Sequence, residues 1–487
     1  MKNKVREILS WFSRINEIPR CSGNEAALAA WLCEWADTND FAHRSDAAGN
    51  LIIDVPASAG YENAPTVIFQ AHMDMVCEKT PGSSHDFLKD PIRIHEEGDW
   101  LTAESTSIGA DNGAAIAVGM VLVTDPVVEH PPLELLFTVD EEPGLIGAKK
   151  LPEDFIKGTI LLNVDSEDEG VFTVGCAGGI DTRMTRTFKL EKVPDAHALV
   201  KISAGGMRGG HSGIDIGKHR ANANKVLARL LETAGKCDEL RLVALEGGSK
   251  HNAIPREARA TVSLPVGILE ETRNRIRILA EDIVSEFQAT EKNLSILFEK
   301  QATSGEIQAL TPGDTREVAN SLLITPNGVI ETVPDQTGRV ETSCNVAIIG
   351  LEGGRFSMLV SQRSSVRSRL EAINTQVEAT AAMAGLAART TNQYPAWPVK
   401  QNSPLLKRCR QVYTECFGNE PLVEIIHAGL ECAVIGSKYP GMDMISFGPT
   451  MKNPHSPDEK LNIPSMGKLW DFLVALMKSF ESDAYRE

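Results

Sequence analysis

The chain has no run of about 18 apolar residues, the least a membrane-spanning helix needs. Its first residues, Met1-Lys2-Asn3-Lys4-Val5-Arg6, lead into an amphipathic pattern (Ile8, Trp11, Phe12, Ile15) and not into the unbroken apolar stretch and small-residue cleavage site of a secretory signal. Neither a membrane span nor a leader is expected, and the protein is read as cytoplasmic. Clustered cations are lacking as well: 49 Lys and Arg stand against 66 Asp and Glu, a formal net charge of -17. That balance excludes nucleic acid and an anionic membrane surface as partners, since both require patches of positive charge. No Cys-x-x-Cys pair occurs among the nine scattered cysteines. A disulfide framework and a thiolate zinc site are therefore not expected, and the thiols are read as reduced. The glycine-rich stretch from Gly205 to Gly213 has no Gly-Lys-Ser/Thr ending and no preceding Rossmann pattern, which excludes a nucleotide-phosphate loop.

What is present is an ordinary globular composition, 42% hydrophobic over 487 residues, longer than one core usually supports. Up to about residue 186, short apolar runs (Thr66–Phe69, Leu133–Phe137, Thr159–Leu162) alternate with helical patterns. Buried runs of this kind predict an α/β domain with a mixed, mainly parallel sheet. Between about 187 and 398 the pattern becomes α+β, and the order helix, two strands, helix, strand is read twice, giving an inserted domain of two similar halves. From 399 the first style returns, with helices at Pro404–Cys416 and Ser465–Phe480. The first domain is thus expected to be discontinuous, 1–186 plus 399–487.

Polar motifs follow the apolar runs: Ala71-His72-Met73-Asp74, Gly109-Ala110-Asp111-Asn112-Gly113, Asp140-Glu141-Glu142, Asn163-Val164-Asp165-Ser166 and Pro454-His455-Ser456-Pro457. Strand carboxyl ends form the ligand crevice of open α/β sheets, so these segments are expected to converge. His72, Asp111, Glu142, Asp165 and His455 supply two imidazoles and three carboxylates. That set suits two divalent cations sharing one carboxylate, each with a position left for water. Mixed oxygen and nitrogen donors fit zinc, with cobalt or manganese as alternatives. Asp111 alone would pass as a helix N-cap. Glu141, beside Glu142, is assigned as general base, because neighbouring side chains diverge. Asp74 is assigned a role behind the His72 ring, raising its basicity. His211, on the glycine-rich loop, is a candidate oxyanion donor. Asn252 and Arg363 are candidate substrate contacts, the guanidinium fork suiting a free carboxylate.

Together with His427-Ala428-Gly429-Leu430-Glu431-Cys432 and Gly209-Gly210-His211-Ser212-Gly213, these motifs resemble the di-zinc aminopeptidase and carboxypeptidase family that includes the carnosinases. The resemblance spans nearly the whole chain. It implies one metal held by His72, Asp111 and Asp165 and another by Asp111, Glu142 and His455, with Asp74 and Glu141 catalytic. It makes the insertion a lid bearing His211, Asn252 and Arg363, with Gly429 and Glu431 around the substrate's amino end. Ser105 stands where that family usually has glycine. The implied function is a metallodipeptidase acting on small unblocked peptides, those ending in histidine foremost. The rival readings are a tripeptidase, an N-acyl amino acid deacylase, or a non-catalytic peptide binder. A homodimer is allowed, since the family includes dimers.

Overall fold

Each apolar run singled out in the sequence forms a strand in the computed structural model, which describes residues 2–302, 305–334 and 338–481. We label the strands of the first sheet in chain order: β1 (Ala42–Ser45), β2 (Leu51–Val55), β3 (Val67–His72), β4 (Leu133–Thr138), β5 (Ile160–Asn163), β6 (Val171–Cys176), β7 (Leu422–Ile426) and β8 (Asp443–Ser446). Their order across the sheet is β1-β2-β4-β3-β5-β8-β6-β7. The central strands β4, β3, β5 and β8 run parallel, and β1, β2 and β6 pair antiparallel at the flanks. Every residue of β3, β4 and β5 is buried, which is why these segments read as continuous apolar runs instead of alternating ones. The helix Ala110–Thr124 is apolar almost all round and packs on β3 and on the helix Lys2–Ile15. Phe12, Phe69, Val118 and Leu473 belong to the core it shares.

The chain packs as two units, the first comprising residues 1–176, 397–425 and 430–487, the second residues 177–396 and 426–429. The second begins before the expected 187 because the strand Gly178–Thr187 pairs on both sides with strands of the insertion, Arg355–Ser364 and Ala387–Tyr394. Its antiparallel sheet reads Ser295–Lys300, His197–Gly205, Ala258–Pro265, Arg241–Gly247, Val340–Glu352, Arg355–Ser364, Gly178–Thr187, Ala387–Tyr394. The first four strands and the last four have the same internal order, counted outward from the central pair, and each set carries its own helices. Gly178–Thr187 is therefore the first strand of the outer half, separated from its partners by the whole inner half.

One expectation is corrected. Cys21 and Cys77 are joined as a disulfide across 56 residues, with their Cα atoms 5.7 Å apart. The segment after the helix Lys2–Ile15 lies beside the loop after β3, where Cys21 pairs with Met75 in a short parallel bridge. Spacing in sequence carries no trace of that contact. The other seven cysteines are free thiols.

Candidate metal centre

β3 ends on His72, whose ring is sealed from solvent. Its Nε2 lies 2.9 Å from Asp111 Oδ1 and 3.4 Å from Asp165 Oδ1. Asp165 follows β5, the parallel neighbour of β3. The other oxygen of Asp111, Oδ2, is 3.2 Å from His455 Nε2, which is in turn 3.1 Å from Glu142 Oε2, just beyond β4. Ligand atoms of His72, Asp111 and Asp165 thus lie within 4.8 Å of one another, as do those of Asp111, Glu142 and His455. Asp111 is common to both groups. Glu141 enters a third such group, with His72 and Glu142.

The electrostatics of this cluster call for positive charge. Burial opposes charging His72, but the charge of Asp165 and hydrogen bonds to Asp111, Asp165 and Asp74 outweigh it and push the ring well above its ordinary value. His455 is likewise pushed up to about 12, burial being overcome by hydrogen bonds to Asp111 and Glu142. Burial drives Glu141, Glu142 and Asp165 upward, and neighbouring carboxylates add to it. Glu142 Oε1 is buried without a hydrogen-bond partner. Crowded carboxylates, imidazoles that draw protons to balance them, and an orphaned oxygen are a setting in which divalent cations can take the place of those protons, so the residues fit the metal pair expected of them.

The supporting contacts are mostly between side chains and backbone. Asp74 is fully buried and does more than steady His72, whose Nδ1 lies 3.3 Å from its Oδ1. It also accepts from the amides of Glu141 (2.9 Å) and Glu142 (3.2 Å) and from Ser22 Oγ (2.8 Å). Asn112 donates through Nδ2 to Val164 O and to Asp165 Oδ1. Arg20 is buried and donates to the carbonyls of Met73, Asp74 and Gly109. Asp111 is no N-cap: Gly109 holds that position, at φ +65°, while Asp111 and Asn112 are non-helical and the peptide between them is cis. Ser105 adopts φ +62°, the left-handed conformation that glycine takes more readily. Arg20, Ser22 and Asn112 carry no mark in the sequence, because each works on groups brought near only by folding: Arg20 on carbonyls, Ser22 on the Asp74 carboxylate, Asn112 on both kinds.

In the second unit, His211 and Asn252 are neighbours. His211 pairs with Ala253, and Ser212 N donates to Asn252 O. His211 Nδ1 accepts from the amides of Gly213 (3.2 Å) and Ile214 (3.1 Å), so the ring's proton sits on Nε2. Arg363 is buried; its Nη1 donates to Tyr394 Oη at 2.8 Å, and its Nε is buried without a partner. A Cβ on Gly429 would lie 2.8 Å from the Tyr394 ring, so this glycine permits the approach. His427, half-buried, bonds Ser343 Oγ at 2.7 Å. Its ring is lowered to about 3, by burial first and by the Arg363 charge second. Tyr394 and Ser343 were not foreseen; nothing in their local sequence marks them. Glu431, of the first unit, accepts from Gln70 Nε2 (2.6 Å) and Thr138 Oγ1 (2.7 Å), leaving Oε1 buried and unpaired. Burial pushes its carboxyl up to about 8.

A cluster of imidazoles and carboxylates at the carboxyl ends of parallel strands, with one carboxylate common to two ligand sets and a spare glutamate beside them, defines a metal-dependent hydrolase. Residues 68–479 match the model of peptidase family M20/M25/M40; the chain belongs to this family and is a peptidase of it. It is 38% identical over 470 residues to the cytosol non-specific dipeptidase of Escherichia coli K12, covering 96% of both chains. The structure of the aminoacylhistidine dipeptidase from Vibrio alginolyticus superposes with a TM-score of 0.82 at 39% identity, covering 97% of this chain and 96% of that one. Human carnosine dipeptidase 1 shares the fold, with a TM-score of 0.55 at 13% identity over 99% of this chain and 98% of that one.

Proposed function

We propose that the chain is a two-metal dipeptidase acting on unblocked dipeptides, including those ending in histidine. The observation that carries this is the position of Asp111, whose two carboxylate oxygens face His72 on one side and His455 on the other. Under this reading His72, Asp111 and Asp165 hold one cation and Asp111, Glu142 and His455 the other, zinc being the first candidate. Such a pair, when bound, polarises the scissile carbonyl and acidifies water. Glu141 takes the proton from the attacking water and returns it to the departing amine. Asp74 keeps the His72 ring oriented and the Glu141–Glu142 turn closed. His211 donates a hydrogen bond from its Nε2–H to the carbonyl oxygen as that oxygen becomes an anion; its fixed tautomer supports the role. Arg363, with an unpaired buried Nε, takes the terminal carboxylate, with Asn252 a further substrate contact. Glu431, with an unpaired buried oxygen, takes the free amino group, and Gly429 is a further candidate contact for the substrate. The two relatives at 38% and 39% identity are named dipeptidases, which supports the substrate length. Among the described residues no helix is long and apolar enough to cross a membrane, and the Escherichia coli relative is named for the cytosol; a cytoplasmic location is proposed on that likeness.

The test strips the protein with chelator, restores zinc, cobalt or manganese, and measures hydrolysis of Xaa-His and other dipeptides, tripeptides and acetylated amino acids. Dipeptide turnover in the reloaded protein is expected, and Glu141→Gln should lower kcat by about 10²–10⁴-fold while two metals stay bound. Preference for tripeptides or acetylated amino acids, or turnover unaffected by Glu141→Gln, overturns the proposal.

A further inference from the structure

Four consecutive backbone amides, those of Ile108, Gly109, Ala110 and Asp111, point at one carboxylate. Glu459 Oε2 accepts from Ile108 N (3.0 Å) and Gly109 N (3.1 Å), and Oε1 from Ala110 N (2.9 Å) and Asp111 N (3.4 Å). The side chain is buried, with only 2% of the residue exposed, so these bonds form away from water and hold the segment firmly. Glu459 lies on the same turn as His455. That turn is closed on itself: Ser456 Oγ donates to Asn453 O (2.8 Å), Glu459 N to Ser456 O (3.0 Å), and His455 sits at φ +59°. Beyond it, Lys460–Asn462 pairs with Trp100–Ala103, Leu461 opposite Leu101.

His455 itself is poorly held by packing, its side chain being 44% exposed. His72, by contrast, is fixed in a buried strand, and Asp165 is held by Asn112. The carboxylate that joins the His455 turn to the Asp111 turn is therefore what sets the separation of these two residues. We infer that Glu459 is a positioning residue that preassembles the Asp111–Glu142–His455 cation site by clamping the His455 turn onto the Asp111 turn. This rests on the two-cation reading above. Glu459 does not meet the cation; it acts through the backbone of one ligand and the loop of another.

The experiment titrates chelator-stripped protein with zinc calorimetrically, comparing the full-length native chain with Glu459→Gln, and uses His455→Ala to mark the equivalent that belongs to the second site. The glutamine keeps the shape but offers a single acceptor oxygen, so about half the amides face an NH₂ group. The native chain should bind two equivalents. Glu459→Gln should weaken the one lost in His455→Ala by 10–100-fold, the range for groups that orient metal ligands, and leave the other within about threefold. A native chain binding fewer than two equivalents overturns the two-cation reading instead. With two bound natively, an unchanged second equivalent in Glu459→Gln overturns the inference. Equal weakening of both equivalents also overturns it, because a merely structural role would do that. Should Glu459→Gln fail to fold, the same comparison is read on Glu459→Asp, whose shorter arm reaches fewer of the amides.

Discussion

Asp74→Asn separates two accounts of a fully buried carboxylate: a group that steadies one imidazole, or the joint between three segments. The structure supports the second, since its two oxygens receive Glu141 N, Glu142 N and Ser22 Oγ and face His72 Nδ1. Asparagine offers one acceptor oxygen, so one backbone N–H must face an NH₂ group whichever way the amide is turned. A stranded buried donor costs about 1–3 kcal/mol, and the remaining bonds lose their ionic character at about 1 kcal/mol each. Removing a charge from a crowd of carboxylates relieves repulsion of roughly 1–2 kcal/mol, taking separations of about 10 Å and an effective dielectric of about 20. The net expected loss is about 2–3 kcal/mol in the metal-free protein, with metal affinity down by about 10–100-fold. All six tryptophans (11, 31, 35, 100, 397 and 470) lie in the first unit, so guanidinium unfolding followed by tryptophan fluorescence reads that unit alone. Ser22→Ala, which removes one of these bonds, should cost only about 1 kcal/mol. A loss below about 0.5 kcal/mol in Asp74→Asn, with zinc affinity within about threefold of native, would refute the joint role.

Gly113→Ala pits helix propensity against a close approach. In an open helix the change gains about 1 kcal/mol, but here the new Cβ would lie 2.5 Å from Arg20 Nη2 and 3.0 Å from Phe12. Arg20 cannot swing aside without leaving the carbonyls of Met73, Asp74 and Gly109, so the variant should lose about 1–3 kcal/mol in the same fluorescence assay; a gain would show that Arg20 yields. His427 gives a pH signature in the second unit. Its folded value is about 3 against an ordinary 6.5, so between those limits the unfolded chain binds a proton the folded one refuses. Stability should be complete above pH 6.5 and fall as pH drops towards 3, by roughly 2 kcal/mol once solvent screening of a half-buried ring is allowed for. Hydrogen exchange of the segment 340–364, compared between the native chain and His427→Gln, should show that slope in the native chain alone; equal slopes would remove the assignment.

The strands were legible because β3, β4 and β5 are buried on both faces, and inside their runs only Gln70 and Glu134 are polar, the others (His72, Thr138 and Asn163) standing at strand ends. The residues gathered at the centre were legible for a related reason: His72 ends its strand, and Asp165 and the Glu141–Glu142 pair follow theirs closely, so locating the strand ends locates them. The start of the second unit was not. Gly178–Thr187 follows β6 after one intervening residue, and its style does not change there. Only its pairing partners, more than 150 residues downstream, assign it to the other sheet. The Cys21–Cys77 bridge failed to register for the same reason, since it depends on two loops meeting.

What the sequence conceals most consistently is the set of groups that act on backbone rather than on side chains. Asp74 holds the Glu141–Glu142 amides, Glu459 those of residues 108–111, and Arg20 three carbonyls. Any residue supplies a backbone amide or carbonyl, so the partner of such a group leaves no compositional mark, whereas a metal ligand must be one of a few residue types. That asymmetry has a physical consequence at this centre. The carboxylates converging here repel one another, and two imidazoles offset only part of that repulsion, so their positions are better set beforehand by contacts that do not depend on them. Backbone bonds to buried ionised groups are strong enough for that and are present in the metal-free fold. The centre is therefore preorganised by residues that never touch the cation, and a survey restricted to ligand-type side chains would find the cluster without finding what holds it open.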